Sequence, residues 1–210
     1  MKKLIAACVV MGFIAGIAQA NILNNGDFES GAFVLDKVPD GWTAWYSAGA
    51  SPNANWKSGA GAHGGTKYAQ LMGWSTGDWA SLIQNVPVTP GNQYSFSLWA
   101  RGNGSADNGA GSLDFLDAGG VSIDTAYVSY QFMPGAVWAF QDFGSFTAPA
   151  GAVSVDVGIW ADSDVGSGGV ESVLYYDDVV LTEAVPEPAS MVLLGVGGLV
   201  TLMVLRRRKA

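Results

Sequence analysis

Apolar and polar side chains alternate at every second position over several stretches of the chain. Tyr94, Phe96 and Leu98 are separated by small polar residues, and Val155, Val157 and further apolar residues repeat the pattern over 153–161. A period of two puts the apolar side chains on one face of a β-strand. Similar patterning predicts five further strands, at 67–73, 79–86, 112–116, 137–146 and 173–181.

Turn-forming dipeptides and glycine-rich stretches separate these segments, as at Pro90-Gly91 and Pro134-Gly135. Between 21 and 184, no run of ten residues has apolar residues at helical spacing without an interrupting Gly or Pro. Many short strands with such spacing favour an all-β fold, a two-sheet β-sandwich of jelly-roll type. A solenoid of repeats is the alternative, but the chain has no fixed period.

Composition narrows the class of protein. The chain has 210 residues, 29 of them Gly, with 13% charged and 11% aromatic residues. Aromatic content and low charge are untypical of a disordered acidic chain, and glycine without a three-residue period excludes collagen. Between 21 and 183 there are 17 acidic residues against four basic ones. Such a surface would repel a phosphate backbone, so no nucleic acid is expected as a partner.

The N-terminus has the three parts of a secretory signal peptide. A short basic start is followed by an apolar run and by the small-residue site Ala18-Gln19-Ala20. Cleavage is therefore predicted after residue 20, which also removes the only cysteine, Cys8. The alternative is a membrane anchor that stays attached.

The C-terminus carries a second apolar segment. Residues 189–205 are 17 in number and contain no charge, and Arg206, Arg207, Arg208 and Lys209 follow directly. Such a helix would span roughly 25 Å, and the positive-inside rule keeps the basic cluster in the cytoplasm. We therefore predict a transmembrane helix in the inner membrane, within a segment 185–210 that follows an exported domain at 21–184.

The tripeptide Pro186-Glu187-Pro188, the apolar helix and the arginine cluster stand in this order within the last 25 or so residues. This arrangement resembles the PEP-CTERM sorting signal of Gram-negative bacteria. The resemblance implies recognition by an exosortase and delivery to the cell surface or to an exopolysaccharide matrix. A plain C-terminal anchor with an accidental PEP sequence is the alternative.

The exported region carries a second resemblance. Its parts are the stretch NILNNGDFE at 21–29, the dipeptide Gly41-Trp42, the strand YSFSLWAR at 94–101 and the stretch YYDDVVL at 175–181. In this order they resemble the galactose-binding-like jelly rolls that serve as carbohydrate-binding modules. The resemblance implies the jelly-roll fold and a polysaccharide as a partner, without specifying the sugar.

Acidic residues at the two ends of this region suggest a metal. Asp27 and Glu29 are expected on the first strand, and Asp177 and Asp178 lie on the last, which is usually its neighbour in a jelly roll. Converging carboxylates repel one another, and Ca²⁺ with oxygen ligands would resolve this. The resemblance also implies a structural Ca²⁺, with Glu29 and Asp177 matching its pattern. Solvated strand ends are the alternative.

Aromatic residues among polar ones predict a sugar-binding face. Trp99 and Arg101 alternate with the apolar residues of their strand, Trp160 does so on the 153–161 strand, and Tyr68 lies similarly on the 67–73 strand. Flat rings can stack on sugars, and these four residues are the predicted ligand-binding residues. A loop that covers the rings is the alternative.

Little in the sequence predicts catalysis. His63 is the only histidine, in a glycine-rich loop, and there is no nucleophile elbow or zinc-binding spacing. We therefore expect a non-catalytic, exported glycan-binding protein. The alternatives are a structural matrix or adhesion protein without specific sugar binding and, as a minor one, a glycoside hydrolase.

Overall fold

The computed structural model describes residues 19–31, 37–46, 54–59, 61–73, 79–103, 108–124, 130–132, 134–162 and 172–184. Residues 1–18 of the predicted signal peptide and the whole of the predicted segment 185–210 lie outside these ranges. Within them there is no helix that is both long and apolar enough to cross a membrane.

In the described part of the chain, eleven strands form two antiparallel sheets that face one another. The six-stranded sheet contains β1 (Thr43–Tyr46), β4 (Trp79–Pro87), β10 (Ser154–Asp162), β6 (Asn108–Leu116) and β7 (Ser122–Asp124) in this spatial order, and β8 (Tyr130–Phe132) also pairs with β6. The five-stranded sheet contains, also in spatial order, β2 (Ala54–Ser58), β3 (Lys67–Gly73), β11 (Ser172–Ala184), β5 (Gln93–Gly102) and β9 (Ala139–Thr147). The all-β sandwich expected from the alternation is confirmed.

All seven segments predicted from the alternating pattern are strands, with ends that differ by a few residues. The sequence reasoning missed four short strands, namely β1, β2, β7 and β8, of three to five residues each. Segments this short contain too few positions for a period of two to stand out.

The core lies between the sheets and takes one side chain of each alternating pair. Strand β5 contributes Tyr94, Phe96 and Leu98, and strand β10 contributes Val155 and Val157, all buried. Each large apolar side chain removed from water contributes about 1.5–3 kcal/mol to folding. The other face of each strand is therefore an outer face of the sandwich.

The N-terminal arm, residues 21–31, departs from the predicted first strand. It lies beside β11, since the Ile22 amide donates to the Leu181 carbonyl (2.8 Å) and the Val179 amide donates to the Gly26 carbonyl (2.8 Å). However, it turns rather than extends, because Asn25 and Phe28 both have φ of 56°. The prediction that Asp27 and Glu29 lie on a strand is therefore wrong, although the arm that carries them does lie beside the last strand.

Strand β11 contains a bulge that the alternation could not reveal. The register with β5 shifts between Asp177 and Val180, and Asp178 has φ of 46°. Asp177 pairs with Trp99, so its side chain lies on the outer face of the sheet. It is nevertheless fully buried, at 0% exposure, because the loop at 61–66 covers it.

Candidate functional site

Three of the four predicted ligand-binding residues lie on the outer face of the five-stranded sheet. Trp99 and Arg101 belong to β5 and Tyr68 belongs to β3. The ring of His63, from the loop at 61–66, stacks on Trp99 with 3.8 Å between centroids and an angle of 16°. A histidine therefore occupies a ring face that a sugar would need.

Arg101 is enclosed by aromatic rings on this face. Its guanidinium carbon lies 4.1 Å from the centroid of Tyr175, 5.3 Å from that of Trp138 and 5.8 Å from that of Tyr68. Its Nε is buried without a hydrogen-bond partner among the described residues. Trp138 in turn donates from Nε1 to the Gly61 carbonyl (2.9 Å) and so ties the loop to this cluster. These contacts fit a packed, loop-covered face, the alternative that the sequence left open.

Trp160, the fourth predicted residue, lies on β10 in the six-stranded sheet. The prediction that it shares a face with Trp99 and Arg101 is wrong, because β5 and β10 belong to different sheets. Their outer faces point in opposite directions across a sandwich about 10 Å deep between the sheets. One glycan chain lying on one sheet face cannot use both.

A cleft of about 400 Å³ lies on the outer face of the six-stranded sheet. Its volume falls within the range typical of ligand sites. Alternate residues of four neighbouring strands line it: Thr43, Trp45, Ile83, Asn85, Ser112, Asp114, Asp156, Gly158 and Trp160. The same face therefore combines aromatic rings, an apolar floor and polar groups.

The aromatic end of this cleft is built from three tryptophans. Trp45 is 58% exposed, and its ring centroid lies 6.4 Å from that of Trp79, which lies 5.3 Å from that of Trp160. Ser81 of β4 pairs with Trp45 on one side and with Trp160 on the other, and its small side chain is buried. The rings are therefore held by one another and by the sheet.

Trp160 is also fixed in orientation. Its Nε1 donates to the Ser112 hydroxyl (2.7 Å) across the neighbouring strand, and Gly158 leaves the space that this needs. A Cβ at Gly158 would stand 2.5 Å from Ser112 Oγ and 2.6 Å from Trp160 Nε1. An aromatic ring held in place before the ligand arrives loses little conformational entropy on binding.

The other end of the cleft is polar. Asn85 donates from Nδ2 to Asp156 Oδ1 (2.8 Å) and to the Ser154 hydroxyl (3.1 Å). Asp114, on the adjacent strand, accepts a hydrogen bond from the Ser122 hydroxyl. These groups can bond to sugar hydroxyls, which both donate and accept.

The sequence reasoning found Trp160 but missed most of the cleft. Strand 79–86 was predicted without dividing its faces, although Ile83 and Asn85 alternate there with the inward Leu82, Gln84 and Val86. Trp45 lies on β1, which was not predicted as a strand. An assignment of outward residues on every predicted strand would have found Asn85 and Asp114, but it would not have shown that they lie close to Trp160.

Glu29 serves as an acceptor for the start of β3. Its carboxylate accepts hydrogen bonds from the Thr66 amide (2.6 Å), the Lys67 amide (2.5 Å) and the Thr66 hydroxyl (3.1 Å). Burial raises the pKa of this carboxyl, but the bonds from Thr66 and Lys67 outweigh it, so the pKa lies below its ordinary value of 4.5. Asp27 accepts from the Glu29 amide within the arm (3.3 Å).

Asp177 holds the loop at 61–66 against the sheet. Its Oδ2 accepts from the amides of His63 (2.8 Å) and Gly64 (3.0 Å), and its Oδ1 accepts from the amide of Asp178 (2.8 Å). Burial raises the pKa of Asp177 to about 6, and the negative charge of Asp178 adds to this, against the opposing effect of the three amides. The His63 ring also bonds to Asp178, with 2.7 Å between Nδ1 and Oδ2.

The hydrogen bonds of these carboxylates bear on the predicted calcium site. Glu29 and Asp177 turn their oxygens towards N–H and O–H donors, whose positive ends would repel a cation. Nor do three or more acidic, histidine or cysteine side chains converge as potential metal ligands anywhere in the described part of the chain. Calcium bound through Glu29, Asp177 and Asp27 stays a prediction.

Two family profiles match the chain. The profile of the carbohydrate-binding domain CBM_4_9 matches residues 20–163, and that of the PEP-CTERM protein-sorting motif matches residues 184–209. No curated protein matches in sequence.

Solved structures with the same fold include carbohydrate-binding modules. The CBM22-1 xylan-binding domain of Paenibacillus barcinonensis Xyn10C is 16% identical, with a TM-score of 0.54 over 77% of this chain and 93% of that one. TmCBM61 in complex with β-1,4-galactotriose is 19% identical, with a TM-score of 0.50 over 77% and 97%. The enzymatically active domain of bacteriophage CBA120 tailspike protein 4 is 16% identical, with a TM-score of 0.59, but this chain covers only 21% of it.

At these identities the similar structures support the fold alone. The two profile matches agree with the jelly-roll sandwich and with the order of motifs at the C-terminus. The chain therefore belongs to the carbohydrate-binding domain family and carries a PEP-CTERM protein-sorting motif at its C-terminal end.

Proposed function

We propose that this protein is an exported, non-catalytic polysaccharide-binding protein whose binding site is the cleft on the six-stranded sheet. The observation that carries the proposal is Trp160, an oriented ring on the floor of a cleft that also presents Trp45, Asn85 and Asp156. An aromatic ring can stack on a sugar ring, and polar side chains beside it can hydrogen-bond to the sugar hydroxyls.

The cleft favours this function over that of a matrix protein without sugar binding. A purely structural jelly roll has no need of an exposed tryptophan beside polar side chains in a cleft, and Trp45 is 58% exposed. Of the two similar modules, one is a xylan-binding domain and the other was solved in complex with β-1,4-galactotriose. Xylan and β-1,4-galactan are therefore the first polysaccharides to test.

Trp160→Ala is expected to weaken polysaccharide binding by about 10- to 100-fold, as for an aromatic residue central to an interface. Affinity electrophoresis in gels containing xylan, β-1,4-galactan or another soluble polysaccharide measures the loss. The matched control is Trp99→Ala, which removes the same side chain from the opposite face and should leave the affinity unchanged. Retained binding in Trp160→Ala together with loss in Trp99→Ala would place the site on the five-stranded sheet instead.

We also propose that the C-terminal segment directs export to the cell surface or an exopolysaccharide matrix. In this proposal residues 189–205 hold the protein in the inner membrane until an exosortase recognises Pro186-Glu187-Pro188. The supporting observation is the match to the sorting motif over 184–209. Delivery to the surface would bring the glycan-binding domain to its ligand, because matrix polysaccharides lie outside the cell.

Disruption of the sorting motif should retain the protein in the membrane fraction. Glu187→Ala, and separately the replacement of Arg206, Arg207 and Arg208 by Ser, should reduce the processed surface form several-fold. Fractionation and immunoblotting of a Gram-negative host that carries an exosortase measure this. Glu171→Ala, an equivalent change outside the motif, serves as the control. Normal processing of both motif variants would contradict the sorting proposal.

A further inference from the structure

Charge is divided unequally between the two faces of the sandwich. The strands of the six-stranded sheet contain no Lys or Arg, whereas they contain four aspartates: Asp114, Asp124, Asp156 and Asp162. Between 21 and 184 the basic residues number four, and three of them, Lys57, Lys67 and Arg101, belong to the five-stranded sheet.

The fourth basic residue does not reach the cleft either. Lys37 precedes β1, pairs with Asp40 at 3.6 Å between Nζ and Oδ1, and is not among the residues that line the cleft. Among the described residues that line it, the cleft therefore has acidic groups and no positive side chain, in a chain of net charge −8.

Two of the aspartates stand directly opposite one another inside the cleft. Asp156 of β10 and Asp114 of β6 are register partners, and both line the cleft. Their hydrogen bonds come from neutral groups, Asn85 Nδ2 and the Ser122 hydroxyl, and neither makes an ion pair with a described residue. Like charges directly opposite on neighbouring strands are unfavourable, so this pair persists at some expense to folding.

From this arrangement we infer that Asp114 and Asp156 make the cleft selective against acidic polysaccharides, so that it binds chains of uncharged sugars. The inference rests on the proposed function and adds the charge of the ligand. A hydroxyl of a neutral sugar donates a hydrogen bond to either carboxylate. A uronate or a sulfate in the same place would add a third negative charge beside the two aspartates, and no cationic side chain is among the described residues that line the cleft. Repulsion between like charges of this kind disfavours the binding of a wrong partner.

Matched polymers test this selectivity, because each pair shares a backbone and differs in charge. The first pair is polygalacturonate and its carboxyl-reduced, neutral form; the second is carboxymethylcellulose and hydroxyethylcellulose. Affinity electrophoresis of the purified full chain should show at least tenfold weaker binding to the acidic member. The difference in affinity between the acidic and the neutral member should become smaller in 0.5 M NaCl, because salt screens the electrostatic repulsion.

The double variant Asp114→Asn/Asp156→Asn should improve the ratio of acidic to neutral binding about tenfold, since the amides keep hydrogen-bonding capacity without the charge. The control Asp40→Asn/Asp142→Asn changes the net charge equally at exposed positions that do not line the cleft and should leave the ratio unchanged. Equal changes in both double variants would mean that overall charge, and not the cleft pair, sets the preference.

Two kinds of failure are distinguishable. If the wild type binds an acidic polymer as tightly as its neutral counterpart, and Trp160→Ala abolishes both, the selectivity is overturned and glycan binding stands. If these four polymers, xylan and β-1,4-galactan all fail to bind, the proposed function is overturned together with the selectivity.

Discussion

Asp177→Ala is expected to lower the free energy of unfolding by about 2–4 kcal/mol at pH 7, because it removes the acceptor of three backbone amides at once. His63 and Gly64 would lose the contact that holds their loop on the sheet, and the fully buried site could not supply water freely in exchange. Urea unfolding followed by tryptophan fluorescence measures the change. Asp142→Ala, at an exposed position of the same sheet, should cost less than about 1 kcal/mol.

The pH dependence of this effect has a definite sign. Burial raises the pKa of Asp177 from 3.8 to about 6, so the folded protein keeps this proton to higher pH than the unfolded chain. The contribution of this group to stability is therefore greatest below about pH 4 and falls as the pH rises through 6. Asp177→Asn has no proton to lose, so its stability relative to the wild type should improve between pH 4 and pH 6. A constant difference over that range would contradict the raised pKa.

The same variants separate the two roles considered for this carboxylate. If Asp177 serves as an acceptor for backbone amides, the wild-type melting temperature is the same in EDTA and in calcium chloride, and Asp177→Ala lowers it equally in both. A ligand that binds only the folded state adds stability with its concentration. A melting temperature that rises with calcium in the wild type and not in Asp177→Ala would therefore support the calcium prediction.

Phe28→Ala is expected to lower the free energy of unfolding by about 3–5 kcal/mol, the range for removing a large aromatic side chain from a core. Phe28 is fully buried although it lies in the N-terminal arm, and its ring centroid is 5.6 Å from that of Trp42. Trp42 also donates from Nε1 to the Asn25 carbonyl (3.1 Å), so the arm and the entry to β1 are packed together.

Phe140→Ala is the matched control, because this ring lies on the outer face of β9 and is 54% exposed. It should cost less than about 1 kcal/mol in the same chemical unfolding experiment. A loss below about 1 kcal/mol for Phe28→Ala would show that the arm does not belong to the cooperative core.

The sequence by itself determined the seven longer strands and, for two of them, which side chains enter the core. Alternation decides this because a strand places successive side chains on opposite faces, a local property of the backbone. Strands 94–100 and 153–161 were therefore predicted with nearly correct limits, and their inward residues are the buried ones. The order of motifs likewise indicated both the sorting segment and the carbohydrate-binding family.

Local irregularities were outside the reach of alternation. The bulge at Asp177 and Asp178 shifts the register of β11 with β5, and the positive φ of Phe28 turns the N-terminal arm. Neither position carries a glycine, which is the usual sign of such a conformation. The side chains of Glu29 and Asp177 consequently meet backbone amides where the sequence had suggested a cation.

Only the tertiary structure decided which outward residues share a face. Trp99 and Trp160 have similar sequence surroundings, yet the pairing of β5 with β11 and of β10 with β4 and β6 puts them on opposite sides of the molecule. The same pairing brings Trp45, Asn85 and Asp114 to Trp160 from three other strands. Strand order depends on contacts between residues far apart in the chain, and no local pattern of polar and apolar positions contains that information.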